Sequence, residues 1–147
     1  MYKNIKEELE AVRKDGWCIR FIKNPSEKVQ LVAVNQNGYS IEFIKNPQEA
    51  VQLEACREDG YSIQYIKNPS KTVQLAACNR HGRGIEFIKN PSEAVQLQAV
   101  RQDGKSINFI KNPTEKVQLE AVRRDSRNIK YIKNPEAFLK KYPALCI

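Results

Sequence analysis

One histidine, one tryptophan and six glycines are all that 147 residues contain of each, and no apolar run approaches the ~18 residues that a membrane-spanning helix needs. Each shortage removes a class of function. With His81 alone there is no histidine cluster to hold a metal, and that residue stands at a turn position held elsewhere by Asn37, Asp59 and Asp103. The few glycines form no phosphate-cradling loop, and no nucleophile-base pairing is visible. The four cysteines, Cys18, Cys56, Cys78 and Cys146, lack CxxC spacing. Cys56 and Cys78 replace the valines found at Val34, Val100 and Val122, and read as small buried hydrophobes. The expectation is a protein that is not an enzyme, with no cofactor, no metal and no small-molecule substrate. The Met1-Tyr2-Lys3 start lacks the apolar core of a signal peptide, so a cytoplasmic location without membrane attachment is expected.

What the chain does have is a period. Ile-Lys-Asn-Pro stands at 22–25 and returns with prolines 25, 47, 69, 91, 113 and 135, every 22 residues. Repetition at that length marks a solenoid, whose units pack only on their neighbours. Within the unit 24–45, Asn24 is a favoured helix N-cap, Pro25 suits the first helical position, and Glu27 stands where a capping-box carboxylate belongs. These residues predict a helix from residue 25 to about 36. It stops at Asn37-Gly38, where the glycine would take the left-handed C-terminal conformation. The next segment, 39–45, has two readings. Tyr39, Ile41 and Phe43 alternate as in a strand, whereas Tyr39/Phe43 and Ile41/Ile44 fit a two-turn helix. A strand would give a β/α leucine-rich-like solenoid, but the leucine pattern of that class is missing. The favoured fold is all-α, an α-solenoid of 22-residue two-helix repeats in a single domain. Residues 1–23 would form an N-terminal cap, 24–133 five repeats and 134–147 a C-terminal cap.

Several columns run through the repeats. Gln30, Gln52, Gln74, Gln96 and Gln118 fall in the apolar arc of the first helix, each inside Val-Gln-Leu. A buried amide must be hydrogen-bonded, so a ladder of glutamines to the backbone of the adjacent repeat is expected. The residue after the turn is Trp17, Tyr39 and Tyr61, then Arg83, Lys105 and Arg127. Stacked in register, these make one stripe, aromatic at one end and cationic at the other, with Arg101, Arg123 and Arg124 beside it. A second basic stripe is Lys23, Lys45, Lys67, Lys89, Lys111 and Lys133, one per repeat. Lys45 and Lys89 have a partner glutamate four residues on, Glu49 and Glu93, but Lys67 meets Lys71 instead. Net charge is +8, and it is unevenly spread: 11 basic against 10 acidic residues in 1–73, and 14 against 7 in 74–147. That asymmetry points to an acidic partner.

The unit Asn-Pro-Ser-Glu-x-Val-Gln-Leu-x-Ala-Val-x-x-Asp-Gly-x-Ser-Ile-x-Phe-Ile-Lys resembles the short tandem helical repeats of bacterial and bacteriophage proteins, a group mostly of unknown function. The resemblance covers nearly the whole chain. It implies an α-solenoid, a phage association, and a bacterial or phage-infected cell as the setting; it brings no catalytic residues. The expected function is a non-catalytic module that binds an acidic protein partner through an extended repeat surface, with inhibition of a host enzyme or defence complex as the role the phage association implies. Nucleic-acid binding through the basic C-terminal half is the alternative, since bases stack on aromatics while basic side chains hold phosphates.

Overall fold

The computed structural model describes residues 4–145; Cys146 lies outside them. Two kinds of helix alternate along the chain. The α-helices are α1 (Ile5–Lys14), α2 (Glu27–Gln36), α3 (Glu49–Glu58), α4 (Lys71–Arg80), α5 (Glu93–Gln102), α6 (Glu115–Arg124) and α7 (Pro135–Lys141). After each of the first six comes a 3-10 segment: Gly16–Phe21, Gly38–Phe43, Gly60–Tyr65, Gly82–Phe87, Gly104–Phe109 and Ser126–Tyr131. A last 3-10 turn, Pro143–Leu145, closes the described chain. No strand occurs among the described residues, which removes the leucine-rich-like alternative. The fold is an all-α helical-repeat solenoid. No helix of the described residues is long and apolar enough to cross a membrane.

The second segment of each repeat is a 3-10 helix because its apolar residues recur every three positions. Gly38, Ile41 and Ile44 are buried, and at three residues per turn they form one stripe. Facing them, α2 buries Val29, Ala33 and Val34. From α1 to α6 each α-helix packs on the next, and the first six 3-10 segments stack on one another in the same order. Two parallel layers result, with the core between them. Its regular part is one valine, one alanine and one Val or Cys from each of α2 to α6, and two isoleucines from each of the first five 3-10 sides. Cys56 and Cys78 lie in it as expected, and burial pushes both thiols up to about 12.

The helix starts differ from the sequence expectation. Asn24, Asn46, Asn68 and Asn90 take φ between 51° and 55°, the left-handed region, and do not cap a helix. Proline clashes with a helical residue before it, and asparagine tolerates the left-handed well better than most side chains. The chain turns there, and α2 begins two residues after Pro25. The caps are Ser26, Ser70 and Thr114, whose hydroxyl oxygens accept from the N–H of Val29, Val73 and Val117 at 3.3–3.4 Å. Glu27 is the first residue of α2, two positions too early for a capping box, and its charge complements the helix dipole instead. Only the last repeat follows the expected pattern: Asn134 caps α7, with Pro135 at its first position.

The turn glycine also has another purpose. No described glycine has positive φ. The α-helices end on an extended residue such as Asn37 (φ −155°), and Gly38 then opens the 3-10 segment. What glycine supplies is closeness. A Cβ on Gly38 would stand 2.6 Å from the Ala55 carbonyl oxygen and 2.8 Å from Ser62 Oγ, both in the next repeat. Gly16, Gly60 and Gly82 press on the carbonyls of Ala33, Ala77 and Ala99 in the same way. At Gly104 the corresponding carbonyl, Ala121, is 3.3 Å away and the nearest atom is a side-chain nitrogen of Asn128. Ser126 replaces the glycine at the sixth segment, after which only the short α7 and the three-residue turn Pro143–Leu145 follow.

The glutamines are hydrogen-bonded, but within their own repeat. Nε2 of Gln30, Gln52, Gln74, Gln96 and Gln118 donates to the carbonyl of the proline five residues earlier, at 2.8–3.0 Å. Each amide thus ties the Asn-Pro turn to its helix, where the proline carbonyl precedes the helical ladder and has no backbone donor. At the C-terminal end, Glu115 of α6 accepts from Tyr142 and pairs with Lys141, which pins α7. Those two donors hold the Glu115 carboxyl below its ordinary range.

Two substitutions probe these contacts. Gly38→Ala should cost about 1–3 kcal/mol, because backbone cannot yield to the new methyl, and Gly104→Ala should cost less. Urea melts of both variants beside the parent check the order. Gln74→Leu should cost about 1 kcal/mol by orphaning the Pro69 carbonyl, despite added apolar surface. A melt at or above the parent's would show that the amide does not hold the turn.

Candidate interaction surface

Stacking at one spacing sets the repeated residues in columns, and three columns bear on recognition. The first begins with Trp17, Tyr39 and Tyr61, directly after the turns. All three are half-buried. Trp17 packs edge-on to Phe43 at 5.4 Å, Tyr39 to Tyr65 at 5.9 Å and Tyr61 to Phe87 at 6.3 Å, each into the following repeat. Of the basic members Arg83 takes the same path, its guanidinium lying over Phe109 at 5.0 Å. Arg127 forks onto Asp125, with contacts of 2.7–3.1 Å, and holds that carboxyl down to about 2. Lys105 is exposed. Much of this stripe is therefore engaged by the fold. The side chain before it explains its geometry: Asp15, Asn37, Asp59, Asp103 and Asp125 accept from the N–H two residues on, capping each 3-10 segment at 2.9–3.1 Å.

His81 takes that turn position in the third repeat, after α4, as expected of a turn residue, but it bonds otherwise. Its Nδ1 accepts from the Gly60 N–H at 3.1 Å, and its ring stacks on Tyr61 at 4.9 Å and 17°. Arg101 and Arg124 lie within 3.9 Å of Glu120 on the outer side of the α layer, so these two belong to a small ion-pair cluster. Arg123 is exposed beside them.

The second column is one that sequence reasoning does not single out. Phe21, Phe43, Tyr65 and Phe87 end their 3-10 segments with 63, 38, 38 and 44 % of their surface exposed, a large apolar area for a surface. Its only signal in the sequence is the recurrence of an aromatic two positions before each lysine.

That lysine column is the third. Lys23, Lys45, Lys67, Lys89, Lys111 and Lys133 are all exposed, and none forms an ion pair or a hydrogen bond among the described residues. The expected pairs Lys45–Glu49 and Lys89–Glu93 do not form. The left-handed Asn46 and Asn90 separate these two lysines from the helices that follow, so each pair is not one helical turn apart. Glu49 instead accepts from the hydroxyl of Ser70 in the next repeat. Between the lysines lie grooves of similar size. One of 380 Å³ is lined by Asn24, Pro25, Gln30, Phe43 and Lys45. Its counterpart of 370 Å³ has Asn68, Pro69, Gln74, Phe87 and Lys89, and another of 420 Å³ has Asn90, Pro91, Gln96, Phe109 and Lys111. Each has an aromatic wall, an amide floor and a cationic rim. Among the described residues no three His, Cys, Asp or Glu side chains converge as a metal site would require.

A stability contrast separates the engaged column from the free one. Tyr61→Ser should cost about 1–2 kcal/mol, from lost burial and aromatic contact, while Lys67→Ser should stay within about 0.5 kcal/mol. Thermal melts of the two single variants give the comparison. The chain matches no protein-family model, no curated protein and no solved structure.

Proposed function

We propose that this solenoid is a non-catalytic interaction module that takes an acidic protein partner along its Ile-Lys-Asn-Pro edge. The carrying observation is the lysine column: six exposed ammonium groups, one per repeat, with no acidic group of the described residues paired to them. The arginines after the turns contribute less, since Arg83 and Arg127 already have partners, but the basic C-terminal half steers an acidic surface toward that end. The likeness of the repeat to bacterial and bacteriophage proteins supports a role in occluding a host enzyme or defence complex. Nucleic acid is the second reading, favoured by the exposed aromatics beside the lysines.

Fluorescence anisotropy with labelled poly-L-glutamate and with oligo-dT, at matched salt, decides between them. Poly-L-glutamate should bind, and Lys67→Gln, Lys89→Gln and Lys111→Gln combined should weaken it about tenfold, from three lost pairs at up to ~1 kcal/mol each. Binding of oligo-dT alone would transfer the proposal to nucleic acid, and unchanged binding by the triple variant would remove the lysine edge from it.

A further inference from the structure

Given an acidic polypeptide as the partner, the reading on which this inference rests, the grooves between the lysines narrow its chemistry. In the groove before Lys111, Gln96 is only 9 % exposed. Its Nε2 is used on the Pro91 carbonyl at 3.0 Å, but its Oε1 is buried with no donor. The other buried side-chain atoms without a partner among the described residues are the hydroxyls of Ser40, Ser62 and Ser106, on the 3-10 segments and not among the groove-lining residues. A buried acceptor without a donor costs roughly 1–3 kcal/mol, and such atoms are few in native proteins. The group that relieves it is an N–H. Carboxylates and phosphates bring acceptors only, whereas a polypeptide backbone brings an N–H at every non-proline residue. Because Oε1 is shielded from water, a donor reaches it only once a side chain lining the groove moves aside, and Lys111, exposed and unpaired, stands at that groove to hold the chain that brings the donor.

The repeat spacing selects the conformation of that polypeptide. Packed helices stand about 8–10 Å apart, so successive lysines present a cation at about that interval. A β-strand puts same-side residues at about 7 or 13 Å, out of step with it. A polyproline II chain rises 3.1 Å per residue with three residues per turn, which returns the same side every ~9 Å and leaves its backbone N–H groups free. Aromatic-walled grooves are a usual seat for such a chain. We infer that the edge binds an extended acidic polypeptide in the polyproline II conformation, with a carboxylate at every third residue. Each carboxylate meets one lysine, and a backbone N–H between them meets Oε1 of Gln96.

Three labelled peptides test this by anisotropy on the parent protein. The first repeats Asp-Val-Pro, the second has the same composition with its aspartates gathered at one end, and the third replaces each valine N–H by an ester oxygen. The spaced peptide should bind about tenfold tighter than the gathered one, and the ester should bind at least about threefold weaker than the amide. Gln96→Leu should bring amide and ester together. If that variant fails to fold, the ester comparison on the parent still decides. Equal binding of spaced and gathered peptides, or of amide and ester, overturns the inference while leaving an acidic partner standing. If no acidic probe binds, poly-L-glutamate included, both proposals fall.

Discussion

The contact on which the rest of this structure depends is backbone against backbone. In the first four 3-10 segments the opening glycine lies on the alanine carbonyl of the next repeat, so close that a single methyl would collide with it. Side chains usually set the distance between packed helices, and they vary. Here the separation is set by groups that cannot vary, a bare glycine Cα on one side and a main-chain carbonyl on the other. The spacing is then nearly the same from repeat to repeat, and the side chains that recur every 22 residues line up as columns. Burial of one valine, one alanine and two isoleucines per unit supplies the driving force for stacking. The glycine contact determines how near the units come.

Once columns exist, their fate is decided by what the fold demands of them. After the turns, Trp17, Tyr39, Tyr61 and Arg83 reach across the joint, aromatic on aromatic or arginine on phenylalanine. Arginines on the outer side of the α layer find Glu120. The lysines lie past the end of each 3-10 segment, and Lys23, Lys45, Lys67 and Lys89 stand directly before a left-handed asparagine; none of the six pairs with an acid of the described residues. Exposed ion pairs add little to folding, so a free lysine costs the fold little and leaves a cation for another molecule.

This division marks what is legible in the sequence. The period, the helical repeat and the buried cysteines can be read because prolines, isoleucines and small residues recur at fixed places. The caps cannot. Asn-Pro has two physical readings, since asparagine both caps helices and tolerates positive φ, and only the path of the chain chooses between them. Gly38 likewise reads as a turn glycine, because local sequence speaks of dihedrals and is silent on what lies across the joint. The glutamines are recognisable as needing partners, but the proline carbonyl five residues back becomes available only when the turn precedes the helix. Phe43 and its equivalents bear, in the sequence, only on helix against strand, and their exposure is a property of the stack.

Asn128 makes one joint unlike the others. Where cysteine, serine or glycine stands elsewhere in this column, its longer amide bonds to the Ala121 carbonyl and holds Gly104 off, leaving that glycine only half-buried. A linear stack with nearest-neighbour energetics frays at its loosest joint. The unit built from α6, the last 3-10 segments and α7 is then the part whose amides exchange with solvent soonest, while the repeats before it stay closed. Lys111 and Lys133 stand on either side of that joint. A ligand gripping both would splint it, so occupancy and local order at this end are thermodynamically linked, each raising the other.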